Sequence, residues 1–242
     1  MDDVRESSQK GHTMHRRDLL NTAVAASAAS ILQIDSTSAA EQQKPQEQPA
    51  RIVDTNVDLF HWPCRRLPLD DVDKLLNKFK TLGITEAWAG SFEAILYRDI
   101  GGVNLRLADV CRKYPQLIPI GSVNPTLPDW EEDLRLCSEH YRMPGVRLHP
   151  NYHGYELDDP RIGKLVERAT KAGRFVQIAA AMEDIRTQHD LLRVSDVDLS
   201  PIALLTKSNP KAKIQILNYR PGGAALAMLA KLDGVFFDTA RV

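Results

Sequence analysis

The chain has little of what marks the specialised classes of protein. Its 242 residues include three cysteines, Cys64, Cys111 and Cys137, an odd number with neither metal-knuckle spacing nor the pattern of a disulfide framework. Buried thiols are therefore expected. Neither sign of charge is in excess: 31 Lys and Arg stand against 32 Asp and Glu, a formal net charge of −1, which gives no global field to attract nucleic acid or an anionic membrane. No Lys/Arg run interleaved with aromatics makes one locally, so nucleic acid is not expected as a partner. No apolar run reaches the roughly twenty residues of a membrane span, and no Gly-rich phosphate turn follows the first strand pattern, as a dinucleotide-binding sheet would show. What is there, 43% hydrophobic and 26% charged, is the composition of a globular domain with a sizeable core.

The first fifty residues differ from the rest. His15-Arg16-Arg17-Asp18-Leu19-Leu20 sets an arginine pair before a mildly apolar Ala/Ser-rich run, Leu19 to Leu32, and Ser38-Ala39-Ala40 offers small residues to a peptidase. Residues 1–40 thus resemble a twin-arginine export signal, which implies a periplasmic protein with no membrane span once the signal is removed. His15 and Asn21 depart from the usual signal pattern, and the alternative is a polar tail with a chance arginine pair. Residues 41–50, EQQKPQEQPA, read as a linker, and the folded domain as 51–242.

From Arg51 onward strand and helix patterns alternate. Strand candidates lie at Arg51 to Leu59 and from near Ile84, Leu117, Gly145, Phe175, Ile214 and Val235. Between them fall amphipathic stretches at Asp70 to Leu82, Val103 to Lys113, Asp129 to His140, Pro160 to Ala172, Pro201 to Lys207 and Gly222 to Leu232. Gly83 suits a helix C′ position, and Pro128 and Pro160 suit first helical turns. Seven apolar strands separated by helices argue for an α/β fold with a helix-covered parallel sheet, and a (β/α)8 TIM-like barrel in preference to an open sheet.

In such a barrel the chemistry gathers at the carboxyl ends of the strands. The first strand ends Asp54-Thr55-Asn56-Val57-Asp58, and a period of two puts Asp54, Asn56 and Asp58 on one face. Those side chains either hold a hard cation or make structural hydrogen bonds around a polar mouth. The fourth strand ends Gly145-Val146-Arg147-Leu148-His149-Pro150. Arg147 and His149 are either a carboxylate fork with a proton-transfer imidazole, or an ion pair with an Asp of a neighbouring strand beside a hydrogen-bonded histidine. Asp238 closes the seventh strand. The loop from Asn151 to Pro160 brings His153 and Tyr155 as a binding lid or a self-packed loop. Arg186 and His189 follow the fifth strand, where Arg186 either reinforces an anion site or pairs with Glu183 or Asp184. Trp62 follows the first strand and either covers the mouth or packs its own loop.

Three blocks, RIVDTNVDLFHWP, GVRLHPNYHGYELDDP and MEDIRTQH, together resemble the amidohydrolase-related family (amidohydrolase family 2), in its aminocarboxymuconate-semialdehyde-decarboxylase-like branch, over Arg51 to Val242. The resemblance implies a distorted barrel that binds a divalent metal, commonly zinc, and hydrolyses or decarboxylates small, often carboxylated compounds. This chain departs from the family's ligand pattern. Asn56-Val57-Asp58 stands where His-x-His belongs, Gln177 and Ala179 stand where the fifth strand has a histidine, and Asn218 stands where the sixth has one. With the metal-ligand histidines largely replaced, a family-type zinc site is not expected. If a divalent metal binds, Asn56, Asp58 and Asn218 favour a hard cation.

Two functions of different class follow. One is a hydrolase or carbon–carbon lyase for a small carboxylated substrate: Arg147 holds the carboxylate, His149 shuttles the proton, Asp58 or Asp238 orients it or acts as base, and Arg186, His153, Tyr155 and Trp62 contact substrate. The other is a non-catalytic barrel that binds a small anionic ligand through Arg147 and Arg186. Oligomeric state is left open. With seven strand patterns in about 200 residues, against eight in about 250 for a typical barrel, a barrel cut short after strand seven is expected.

Overall fold

The computed structural model describes residues 51–220 and 223–240, so the export-signal and linker assignments lie outside the described residues, as does Gly222. The chain alternates strands and helices: β1 (Ile52–Leu59), α1 (Val72–Leu82), β2 (Ile84–Ser91), α2 (Ile100–Lys113), β3 (Leu117–Pro119), β4 (Gly121–Ser122) and α3 (Trp130–Arg135). Then follow β5 (Gly145–Leu148), α4 (Pro150–His153), α5 (Pro160–Lys171), β6 (Phe175–Ala179), α6 (Ile202–Ser208), β7 (Ile214–Leu217), α7 (Gly223–Leu229) and β8 (Val235–Phe237).

Every ladder is parallel, and the strands follow one another in chain order, β1-β2-β3 in one sheet and β4 to β8 in a second. The third strand expected from Leu117 onward is split between them. Pro119, which has no N–H to donate, ends β3, and Ile120 bridges the break by donating its N–H to the Ala89 carbonyl at 2.8 Å. Seven expected strands thus appear as eight segments of one parallel α/β wall.

Local signals account for the helix ends. Asp71 caps α1 by accepting from the Lys74 N–H, and Gly83 closes it at φ 70°, in the left-handed region that costs glycine least. In α5, Asp159 caps the helix from outside and Pro160 takes its first turn. Pro128 does not do the same. The next helix starts at Trp130 behind Asp129, which leaves Pro128 before the cap, and from Leu136 to His140 the helix widens to a π-helix instead of running on as α.

The main apolar core lies between the β4–β8 sheet and its helices, where Val146, Leu148, Val176, Ile178, Ile214 and Ile216 meet Ile162, Leu165, Val166 and Ile202. A second cluster joins Val57, Leu59, Ala87 and Ala89 to Leu75, Leu76 and Phe79 of α1 and to Leu107 of α2. All three cysteines are free. Cys111 and Cys137 are buried as expected, and burial pushes the Cys111 thiol up to about 12, but Cys64 is only half-buried. Among the described residues no helix is long and apolar enough to cross a membrane.

Candidate active site

The residues that alternate with the apolar core face the other side of the wall, and there the side chains are polar. Arg147, Gln177 and Gln215 stand in register on β5, β6 and β7, and all three are buried. β1 meets them across the interior at an irregularity in its ladder, where the pairing with β2 slips between Asp54 and Val57. The slip puts two backbone carbonyls within reach. Gln177 donates to the Thr55 carbonyl at 3.0 Å and Arg147 to that of Val57 at 3.0 Å.

The network is dense. Arg147 Nη1 donates to Asp58 Oδ1 at 2.6 Å and its Nε to Gln177 Oε1 at 2.9 Å, while Gln177 donates to Gln215 and Gln215 donates to the Thr55 hydroxyl, each at 2.8 Å. The Arg147 side chain is fully buried and that of Asp58 is 6% exposed, so this is a desolvated pair held by further hydrogen bonds, the condition under which such a pair is tolerated. Gly90 on β2 makes the room. A Cβ there would lie 2.6 Å from both Arg147 Nη1 and Asp58 Oδ1.

Asn56 belongs to a separate group. Its amide donates to Asn218 Oδ1 at 2.9 Å and to Asp238 Oδ2 at 2.6 Å, and Asp238 Oδ2 also accepts the Asn218 N–H at 2.9 Å. Asn218 sits at φ 56°, a left-handed conformation that asparagine tolerates better than most residues. These bonds tie the end of β1 to the residues just past β7 and β8. Among the described residues no ladder joins β1 to β8. Asn56 and Asp58 flank Val57, which packs in the outer cluster, and they serve different partners, while Asp54 Oδ1 folds back onto the Asn56 N–H at 3.0 Å.

Above Arg147 lies His149, fully buried, with neither ring nitrogen hydrogen-bonded. Burial, then His153, then Arg147 hold its pKa well below the ordinary imidazole value, so the ring is neutral. His149 is also the N-cap of α4. Pro150 supplies the first turn and Gly154, at φ 68°, the stop. This corrects the picture of an open lid loop: its first half is one helical turn, and Tyr155 and Leu157 are buried in the main core.

The same turn carries His153 to a ring-centroid distance of 5.7 Å from His149, and His153 Nε2 lies 2.8 Å from the Ala94 carbonyl. Trp62 closes this side, buried edge-on against Phe92 at 5.3 Å and Tyr152 at 6.1 Å. Several buried polar atoms on this side lack a partner: both His149 nitrogens, His153 Nδ1, Arg147 Nη2, Trp62 Nε1 and Tyr152 Oη. Buried polar groups are ordinarily satisfied, which sets this side of the interior apart as the candidate site.

Two expected members are elsewhere. Arg186 is 85% exposed and forked onto Asp184, the pairing that stood as the alternative to an anion clamp, and it does not join Arg147. The Tyr155 hydroxyl is buried in the core without a partner, its pKa raised by burial. Gln215, Thr55 and Gly90 were not anticipated. The signal for Gln215 was present, a polar residue amid the apolar run Ile214–Leu217, but nothing local tells a polar interior from an exposed strand face. A cleft of about 810 Å³ is lined by Glu156, Asp158, Asp159, Asp196 and Asp198 against Arg193, an excess of carboxylates that does not suit an anionic substrate.

The strand-end donors do not fit a zinc ion. No imidazole stands in the Asn56–Asn218–Asp238 group, Asn56 presents its amide donor to both neighbours, and the Asp58 carboxylate is bound to Arg147. Among the described residues no group of three or more His, Cys, Asp or Glu is placed to hold a metal ion.

A parallel α/β wall with its polar side chains at the strand ends is the architecture of a barrel-type α/β protein. Residues 63–240 match the family model described as Amidohydrolase, and the chain belongs to that family. Among solved structures it is similar to 5-carboxyvanillate decarboxylase from Sphingomonas paucimobilis, with TM-score 0.54 and 15% identity over 69% of this chain and 67% of that one. It is also similar to the Novosphingobium aromaticivorans 5-carboxyvanillate decarboxylase with bound manganese and 3-methoxy-4-hydroxy-5-nitrobenzoic acid, with TM-score 0.54 and 14% identity over 71% and 66%. The 2,6-dihydroxybenzoate decarboxylase from Rhizobium gives TM-score 0.53 and 14% identity over 69% and 66%. At such identities the likeness is one of fold.

The curated relatives are of another kind. They are NADH-quinone oxidoreductase subunits, one of Rhodospirillum centenum, 25% identical over 127 residues, and one of Caulobacter vibrioides, 30% identical over 128. Each match covers 51% of this chain and 31% of the relative, so the chain spans about a third of their length and the match assigns it no activity.

Proposed function

We propose that this protein is a hydrolase or carbon–carbon lyase acting on a small carboxylated compound at the strand-end site, without the zinc centre usual in its family. The observation that carries this reading is the pairing of two unmet needs at the end of β5. Arg147 keeps one guanidinium nitrogen unpartnered in a desolvated site, and His149, two residues on, is a neutral imidazole with both nitrogens unpartnered. The first suits a carboxylate oxygen and the second a proton transfer. Asp58 acts as a positioning residue that holds Arg147, and Trp62, Phe92 and Tyr152 form an aromatic wall. Fold neighbours whose own ligands are small aromatic carboxylates support the substrate class.

A second reading, a non-catalytic barrel binding a small anion, is favoured by the ties that already occupy most of the Arg147 guanidinium. The test is a panel of carboxylated esters, lactones and aromatic acids offered to purified protein, with metal content measured alongside. Turnover that does not track zinc and is lost in His149→Asn while carboxylate binding persists supports the enzyme. Saturable binding with no turnover of any member selects the second reading.

We further propose export through the arginine pair. Reporter fusions should reach the periplasm with Arg16 and Arg17 intact and remain inside the cell when both are lysine; export indifferent to that change refutes it.

A further inference from the structure

We infer that a cavity at the amino ends of β6 and β7 is a second binding site, and that it takes a small phosphate monoester with an apolar body. It lies apart from the strand-end site and does not depend on the function proposed above.

Strand phase sets its position. Phe175 and Lys213 precede Gln177 and Gln215 by two residues, so they share the inward phase of β6 and β7 but stand where those strands begin. His149, by contrast, follows the carboxyl end of β5. The cavity beside Phe175 and Lys213 measures about 320 Å³ and is lined also by Pro144, Arg174 and Lys211. Small-molecule sites begin at about 300 Å³, so there is room for a compact organic ligand.

The charge in the wall is of one sign. Three of its residues are cations and none is a carboxylate. Among the described residues Arg174, Lys211 and Lys213 form no ion pair, whereas nearby cations on α5 do: Lys164 and Arg168 meet Glu131, and Lys171 meets Glu167. Arg174 Nη2 donates to the Ser138 carbonyl at 2.7 Å, which fixes the guanidinium against the π-helical turn, while its Nε is buried without a partner. A fixed guanidinium beside two ammonium groups is the donor set that recognises phosphate. Three positive charges with no counter-charge match a dianion better than a single carboxylate.

The rest of the wall is apolar. The Phe175 ring stacks on Trp88 at 4.8 Å with 28° between the planes, and it lies across Gly145, where a Cβ would be 2.5 Å from it. Pro144 adds a second apolar surface. Neighbouring polar groups already have partners: Phe175 N–H donates to the Pro144 carbonyl at 3.2 Å, Val176 N–H to that of Lys213 at 2.9 Å, and the Thr170 hydroxyl to the Val166 carbonyl at 2.7 Å. The unmet polar need therefore belongs to the cationic heads. Inorganic phosphate would answer them and leave the apolar wall uncovered; a phosphate monoester with a flat apolar body meets both.

The experiment is calorimetric titration of full-length protein with phenyl phosphate and with inorganic phosphate, followed by a crystal structure of the phenyl phosphate complex. Phenyl phosphate should bind one to one with a Kd of about 1 mM or below, and inorganic phosphate about tenfold more weakly. Lys211 and Lys213 are exposed, so changing both to glutamine should leave thermal unfolding within a few degrees. That double change should weaken phenyl phosphate about tenfold or more. Phe175→Leu should narrow the preference for phenyl over inorganic phosphate to about threefold or less. Density should lie between Phe175 and the three cations.

No saturable binding up to about 10 mM, or an affinity within about twofold of the parent after both lysines are changed, overturns the inference. Equal affinity for the two phosphates overturns the monoester assignment, and density at the strand-end site alone overturns the location. Turnover of the carboxylate panel should be unchanged in the lysine double variant, so loss of this site leaves the proposed function standing.

Discussion

The two faces of β5, β6 and β7 are made by alternate residues of the same short strands, and they solve different problems. Outward, Val146, Leu148, Val176, Ile178, Ile214 and Ile216 bury apolar surface against helices. Inward, Arg147, Gln177 and Gln215 make directed bonds to one another and to β1. Hydrophobic burial is non-directional and roughly additive with area, so the outer face tolerates adjustment. The inner face is a network, in which losing one member leaves others buried and unmet. Parallel strands are usually apolar on both faces, and this departure is what gives the interior its polar network.

The largest expected break is Arg147→Met. It strands the Asp58 carboxylate and the Gln177 amide in the interior and should cost about 3–5 kcal/mol in denaturant unfolding. Adding Asp58→Leu should return much of that loss, and two independent costs that simply add would refute the network. On the outer face, Ile178→Ala should cost about 2–5 kcal/mol from lost contacts and the cavity left behind, and should add to any inner-face change with no coupling.

A smaller effect is expected at the wall between the two. Gly90→Ala drives a methyl into Arg147 and Asp58 at 2.6 Å and should cost about 1–3 kcal/mol. It should also weaken carboxylate binding if Arg147 is the anchor, whereas a neutral Gly90→Ala would mean the pair has slack.

The helix layer also buries a charge, and its effect is read against pH. Asp133 on α3 is only 8% exposed; burial, and then the repulsion of Asp129, Asp99 and Glu132, raise its pKa from 3.8 to about 6. Its folded pKa lies above the unfolded one, so between about pH 4 and 6 the folded state binds more protons and stability falls as pH rises through that window. The loss by pH 7 should be about 3 kcal/mol, and Asp133→Asn should flatten that limb of the unfolding profile.

Much of this was legible in the chain. α1 was written by the spacing of Leu75, Leu76 and Phe79, by Asp71 before them and by Gly83 after. The strand-end residues Arg147 and His149 stood out because a charged and an imidazole side chain share one phase of an otherwise apolar strand. The split of the third strand at Pro119–Ile120 was not legible, since it depends on which neighbour each half meets. Arg186 illustrates the limit on the site. Its spacing after β6 resembled that of a clamp, but Asp184, two residues away, offered a bidentate partner at the surface.

By itself the sequence determined the class of fold, because periodicity, caps and the scarcity of glycine-rich turns are local properties that each segment carries alone. It also determined which residue types stand at the strand ends. Tertiary structure decided their partners: that Arg147 meets Asp58 from 89 positions away, that Asn56 meets Asp238 from 182, and that His153 is turned toward His149 by a carbonyl on another strand's loop. Those pairings depend on closure of the wall and on the space left by Gly90, and no local pattern records either.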